Sequence, residues 1–223
     1  MHNGEELALL EEEIVSCRLC PRLVAWREEV AREKRAAFRD EEYWGRPVPG
    51  FGDPEADVVV FGLAPAAHGA NRTGRYFTGD RSGDFLFSAL YRTGFASSPV
   101  SRRPDDGMQL YGLWISAAVR CAPPQNRPTP SERDACLPYA TRELELLDAK
   151  VVVCLGVFAW DAVLRLLGVR PKPRFAHGAE HGVGSLALLG CYHPSQQNTF
   201  TGVLTPEMLD AVLSRGRELS GTG

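Results

Sequence analysis

Residues 57–62 read Asp57-Val58-Val59-Val60-Phe61-Gly62, and this run decides the fold. It is apolar without alternation, so a strand formed here must be covered on both faces. Three later runs share that character: 113–119 (LWISAAV), 151–155 (VVVCL) and 186–191 (LALLGC). Helical periodicity fills the intervals, predicting helices at 83–92, 131–147 and 157–168, with a last one at 205–219. Ser131 is the predicted cap of the helix at 131–147, with Pro130 before it. Doubly covered strands alternating with helices predict an α/β fold, a three-layer α/β/α arrangement around a central, mainly parallel four-stranded sheet. Ahead of the first strand, Leu7, Leu10 and Ile14 predict a helix over 5–16. Leu23, Trp26 and Val30 predict another over 21–39, with Pro21 in its first turn.

The bulk properties fit one domain over 1–223 whose N-terminal helices carry two of the cysteines discussed below. Of 223 residues, 44% are hydrophobic and 24% charged, a globular balance rather than a disordered one. The N-terminus is acidic and polar, which does not read as a signal peptide, and no apolar run approaches membrane-spanning length. A reducing cytoplasm and no membrane partner are expected. The net charge of −3 does not advertise a nucleic-acid binder, but local field matters more than the total. The basic groups Arg32/Lys34/Arg35/Arg39, Arg102/Arg103 and Arg165/Arg170/Lys172/Arg174 each read as a solvated face.

Open α/β sheets bind ligands where loops leave the carboxyl ends of the strands. Three such loops are rich in Gly, Pro, Asn, Ser and Thr: 62–80 (GLAPAAHGANRTGRYFTGD), 121–130 (CAPPQNRPTP) and 192–202 (YHPSQQNTFTG). Four cysteines form two separated pairs, Cys17-x2-Cys20 and Cys121-x14-Cys136. A zinc ribbon would repeat the CxxC pair, so the second spacing is too wide for one. Spacing alone leaves open one metal or an iron–sulfur site closed by folding.

The succession GLAP (62–65), FTGD (77–80), VRCAPPQNRPTP (119–130), Cys136 and HPS (193–195) resembles the uracil-DNA glycosylase superfamily. Within it, the chain is most similar to the iron–sulfur branch called family 5, or type B. The resemblance runs from about Cys17 to about Gly202. It implies a [4Fe–4S] cluster on Cys17, Cys20, Cys121 and Cys136, leaving Cys154 and Cys191 to the core. It also implies a monofunctional base excision repair enzyme. Such an enzyme acts on damaged DNA, hydrolysing the N-glycosidic bond of uracil to leave an abasic site; a monomer is expected, since one extruded base needs one site. No lysine lies in the three loops to form a Schiff base.

That reaction builds oxocarbenium character on the sugar and anionic character on the leaving base. By resemblance, His193 is the donor to the base, and Asp80 stabilises the sugar or positions water. Asp80 is equally a favoured helix cap. The segment Gly62-Leu63-Ala64-Pro65 offers no polar side chain at its middle positions, so water activation cannot come from there. Asn126 matches a family residue near the pocket, placed here among catalytic and base-binding groups alike, and Phe77 matches the aromatic that stacks on a flipped base. Ala117 stands where relatives carry an asparagine that reads the uracil edge. Activity beyond uracil, on deaminated bases such as hypoxanthine, is therefore expected. Ser195 and Gln197 lie where relatives meet a phosphate and fill the vacated stack. Asn71, Arg72, Thr73, Gly74 and Arg75 shape the first loop, with the arginines available to phosphates. His68 is a secondary candidate. The rival reading is a catalytically weak or inactive DNA-binding protein with a structural cluster.

Overall fold

The computed structural model describes residues 2–221; Met1, Thr222 and Gly223 of the expected 1–223 domain lie outside the described residues. The four anticipated strands form as β2 (Val58–Gly62), β3 (Leu113–Ala117), β4 (Val151–Leu155) and β6 (Leu186–Cys191), all parallel, in the order β3-β2-β4-β6. The sheet has six strands rather than four. β1 (Phe51–Gly52) pairs antiparallel with β3, and β5 (Glu180–Val183) pairs antiparallel with β6. Neither edge strand carries an apolar run. β1 is two residues long, and β5 alternates exposed and half-buried residues, as an edge facing water does.

Side-chain alternation divides the sheet into two cores. Val58, Val60, Ile115, Val151 and Val153 face α4 (Arg81–Arg92) and α8 (Pro206–Ser220). Val59, Phe61, Trp114, Val152 and Cys154 face α5 (Pro130–Leu147) and α6 (Val157–Leu166). Period-two alternation with both faces apolar is what the continuous hydrophobic runs demanded. The N-terminal helix α1 (His2–Ser16) packs beside α5, burying Leu7, Leu10 and Ile14.

Most helix ends fall within three residues of expectation, and two differences have a clear physical cause. The helix from Pro21 stops at Glu33 instead of 39, as α2 (Pro21–Glu33). Lys34 turns left-handed at φ 54°, and a separate short 3-10 turn covers Ala36–Phe38. The apolar stripe ends at Val30, so nothing beyond it holds a helix to the core. On that stripe the buried residues are Leu23, Val24, Arg27 and Val30, and Arg27 takes the inward place expected of Trp26. Helix α5 is capped by Thr129 and not by Ser131. The Thr129 hydroxyl accepts from Glu132 N–H, and the Glu132 carboxylate accepts from Thr129 N–H, a capping box with Pro130 at the first helical position.

Candidate active site

At the carboxyl end of β2 the backbone pairing continues past the strand. Ala118 N–H donates to Gly62 O at 3.1 Å, and Val119 N–H to Leu63 O at 3.1 Å. The returning loop lays the Phe77 ring over Gly62, with Cζ 3.4 Å from where a side chain on Gly62 would begin. Phe77 sits at φ 53°, a backbone conformation that costs an aromatic residue energy. The His193 ring is a neighbour of the Phe77 ring, with centroids 6.3 Å apart and planes tilted by 38°.

The His193 side chain is half-buried. Burial pushes its imidazole down from 6.5 to about 4, so the ring is neutral at pH 7. The Ser195 N–H and Asn198 Nδ2 both donate to the His193 carbonyl, at 2.8 and 2.9 Å, which fixes the backbone. The ring nitrogens have no partner among the described residues and are open to a ligand. Between pH 6.5 and about 4 the unfolded chain binds a proton at this site that the folded chain refuses, so stability falls as pH falls through that window. An NMR titration of the imidazole should give a midpoint near 4; a midpoint at 6.5 or above would contradict the burial of a neutral ring.

Asp80 is both the N-cap of α4 and a wall of a cavity of about 960 Å³. Its Oδ1 accepts from Gly83 N–H at 2.8 Å. Its Oδ2 lies over Gly69, only 2.0 Å from where a β-carbon would stand, so no other residue fits at 69 without displacing the carboxylate. Burial raises the Asp80 carboxyl above the usual aspartate range, opposed by the Gly83 N–H. Asn126 lines the same cavity. It is exposed, in a short 3-10 turn (Pro124–Asn126), at the left-handed φ of 56° that asparagine tolerates. Its side chain has no partner among the described residues. Gln196 completes the far wall, whereas Leu63 and Ala64 do not line the cavity.

Three arginines border this cavity: Arg35, Arg81 and Arg102. Among the described residues Arg35 and Arg102 make no side-chain ion pair, and Arg81 only lies over the Phe200 ring at 5.4 Å. Elsewhere on the surface Arg18, Arg22, Arg92, Arg142, Arg165 and Arg215 are each paired with a carboxylate, whereas Arg32, Arg39, Arg127, Arg170 and Arg174 make no ion pair among the described residues. Arg35 and Arg102 are solvated, as expected, and stand at the edge of the cavity. The expectation for Arg72 and Arg75 is corrected. Both are buried and spent on structure. Arg72 donates to His68 O and Gly79 O and pairs with Glu41; Arg75 donates to Thr78, Ser101, Pro104 and Asp106. Three of the five N–H groups of Arg72 and four of the five of Arg75 are thus engaged inside the protein. His68 lines the cavity, with Nδ1 3.1 Å from the Tyr43 hydroxyl.

In the third loop, Ser195 caps the short helix α7 (Gln196–Phe200), its hydroxyl accepting from Asn198 N–H at 3.3 Å. Gln197 is exposed. The large apolar side chain standing in water here is Phe200, 69% exposed.

Cys20, Cys121 and Cys136 are unpaired thiols packed with Leu23, Val119 and Ala64; the unpaired Cys17 thiol packs against Leu10, Ile14 and Tyr139 and lies near enough to act on Cys121 and Cys136. Burial pushes Cys121 up to about 12 and Cys136 up to about 11, and each is raised further by Cys17. Among the described residues no three His, Cys, Asp or Glu side chains close on a point that would hold a single metal ion. Arg27, Arg120 and Glu143 surround this region and did not stand out in the sequence. Arg27 Nη1 donates to Cys121 Sγ at 2.9 Å, and Arg120 N–H to Cys136 Sγ at 3.5 Å. The signal for Arg27 was present, as a charged residue on the apolar stripe of α2. Cys154 and Cys191 are buried in the sheet, as expected.

A family model described as the Uracil DNA glycosylase superfamily matches residues 49–215. The chain is 54% identical to a protein of Mycobacterium leprae named "Type-5 uracil-DNA glycosylase", over 95% of each chain. It is also 54% identical to a protein of that name from Thermus thermophilus, over 93% of this chain and 95% of the other. A protein of Archaeoglobus fulgidus named "Type-4 uracil-DNA glycosylase" is 31% identical over 66% of this chain and 70% of its own.

Proposed function

The chain belongs to the uracil DNA glycosylase superfamily, and on that footing we propose that it excises uracil from DNA by hydrolysis, leaving an abasic site. One observation carries the assignment to this end of the sheet. Phe77 over Gly62, His193 against Phe77 and Asp80 in the adjoining cavity lie where three loops leave parallel strands. An extruded base stacks on Phe77, which presents a π-face to any base. Neutral His193 donates from a ring nitrogen to the carbonyl oxygen on which the leaving base gathers charge. Asp80, held by Gly83 N–H, sets a fixed negative charge beside the cationic sugar and orients the attacking water. Asn126 contacts the base edge, and Gly62, Leu63 and Ala64 form the close backbone wall. Ala117 leaves that edge without a bidentate amide, which relaxes selection and admits hypoxanthine. Ser195 meets a phosphate, and Gln197 with the more apolar Phe200 enters the space that the base vacates.

The four cysteines fit a [4Fe–4S] cluster. They converge without pairing, and the buried Arg27 beside them has an Nε with no partner, a cationic surround suited to an anionic group. When bound, the cluster supplies a cross-link between the α1–α2 junction and the β3–α5 segment. The residues of that segment do the local work: Val119 and Ala64 pack on the thiols, tying them to the GLAP turn.

Arg35 and Arg102 meet phosphates flanking the target nucleotide. Each phosphate contact contributes about 0.9 to the slope of log affinity against log salt. Arg35→Gln/Arg102→Gln should therefore flatten that slope by roughly 1.8 in fluorescence anisotropy with duplex DNA. An unchanged slope would remove both from the interface. The assignment itself is tested with duplexes carrying uracil or hypoxanthine, incubated with enzyme and then alkali. Strand scission only after alkali is expected for both; intact strands for both would favour a binding protein without excision.

A further inference from the structure

We propose that Arg27 is the internal counter-ion of the cysteine site, holding its charge balance and setting the reduction potential of the cluster bound there. The inference rests on the cluster reading above. Arg27 is 2% exposed, on the inward stripe of α2 between Val24 and Val30. A guanidinium is always charged, and burying one without a partner costs several kcal/mol. Buried arginines therefore face carboxylates, as Arg120 faces Glu143 in the same region.

Among the described residues Arg27 has no carboxylate at hydrogen-bonding distance. The nearest carboxylate is Glu28, at the outer limit of 4.0 Å; it is 44% exposed and already bonded to Arg18 at 2.5 Å. The hydrogen bonds of the guanidinium run from Nη1 to Cys121 Sγ and from Nη2 to the Cys17 carbonyl at 3.3 Å, while Nε is buried without a partner among the described residues. The compensating negative charge must come from the thiol site itself. A cubane cluster on four thiolates carries an overall charge of about −2 and is tuned by net charge and hydrogen bonds to its sulfurs. One buried guanidinium bonded to a ligand sulfur offsets part of that charge. It also ties the CxxC segment to Cys121, so one side chain binds both halves of the ligand set.

Accepting an electron makes the site more negative, so a neighbouring cation favours the reduced state. Arg27→Met keeps the volume and removes the charge. Arg27→Lys keeps the charge and loses the fork. The test uses anaerobically purified, brown protein, a count of iron and sulfide, and a spectroscopic redox titration with dithionite as reductant. The expected result is a midpoint for Arg27→Met below wild type by a shift equal to about a tenfold change in the oxidised-to-reduced ratio, which is 59 mV for one electron. Iron should also leave Arg27→Met faster in the presence of a chelator, and Arg27→Lys should recover most of the midpoint. Equal midpoints and equal iron-release rates in all three proteins would overturn the inference. If Arg27→Met does not accumulate, Arg27→Lys decides alone: a midpoint near wild type with faster iron release supports it, and no change in either overturns it. Wild type free of iron and sulfide would overturn the cluster reading and this inference together.

Discussion

Asp80→Asn should lower single-turnover excision of uracil by about 10² to 10³-fold, the scale of losing one preorganised charge beside the reacting centre. It should leave DNA affinity intact. The choice of asparagine follows from the geometry. Asp80 caps α4 through Oδ1, which accepts from Gly83 N–H, and asparagine caps as well as aspartate does. The substitution therefore removes the charge and keeps the cap. Burial raises the Asp80 carboxyl, so the folded chain binds a proton there more readily than the unfolded one. Ionised Asp80 is then a cost to folding at neutral pH, and Asp80→Asn should melt at or slightly above wild type. Asp80→Ala loses the cap too and should be destabilised by about 1 kcal/mol. Catalysis and capping are thus separable at one position. Full activity in Asp80→Asn with loss of stability in Asp80→Ala would reduce Asp80 to a helix cap.

Glu143→Ala should give the largest stability loss, about 3–5 kcal/mol, because it strands a buried charge. That corresponds to a fall in Tm of roughly 6–20 °C for a chain of this size. Arg120 is 1% exposed, and its Nη1 and Nη2 donate to the two Glu143 oxygens at 3.1 and 2.5 Å. Ser116 Oγ donates to Oε2 at 2.6 Å, and Gly50 N–H donates to Oε1 at 3.2 Å. Removing the carboxylate leaves the guanidinium, a hydroxyl and an amide unpaired inside the core. Arg120→Met/Glu143→Met should recover most of the loss, since apolar replacement of a buried pair is often neutral. Thermal unfolding of the single and double variants checks both. The network also reaches the site: Arg120 N–H donates to Cys136 Sγ, and Arg120 O accepts from Val48 N–H at 2.7 Å. Weakening it should loosen the segment from Cys121 to Asn126 as well as the fold.

What was legible in the sequence follows from how locally each feature is encoded. The four parallel strands were readable because complete burial leaves an apolar run, as in Val151–Leu155. β1 and β5 were not, because edge pairing needs only backbone groups and leaves no side-chain pattern. The Thr129 cap was legible as Thr-x-x-Glu, but Ser131 was the more obvious hydroxyl near the helix start. Asp80, Phe77 and His193 could be singled out because each lies in a motif that carries the family resemblance, FTGD or HPS, in a loop that follows a strand. Arg27, Glu143 and Arg120 could not. Their partners are up to 94 residues away, and a charged residue acquires its meaning from what it is buried against. Arg35 and Arg102 against Arg72 and Arg75 make the same point. All four read as surface cations, and only the fold decides which guanidinium groups remain free.

The most direct test of the account is the release of free uracil from a labelled duplex, with enzyme in excess over DNA, by wild type and by Asp80→Asn. The account predicts about one uracil per lesion from wild type, with the strand uncut until alkali is added. From Asp80→Asn, on the same timescale, it predicts bound DNA with its uracil retained. Duplex bound by wild type with every uracil still attached, or uracil release that Asp80→Asn leaves undiminished, would contradict it.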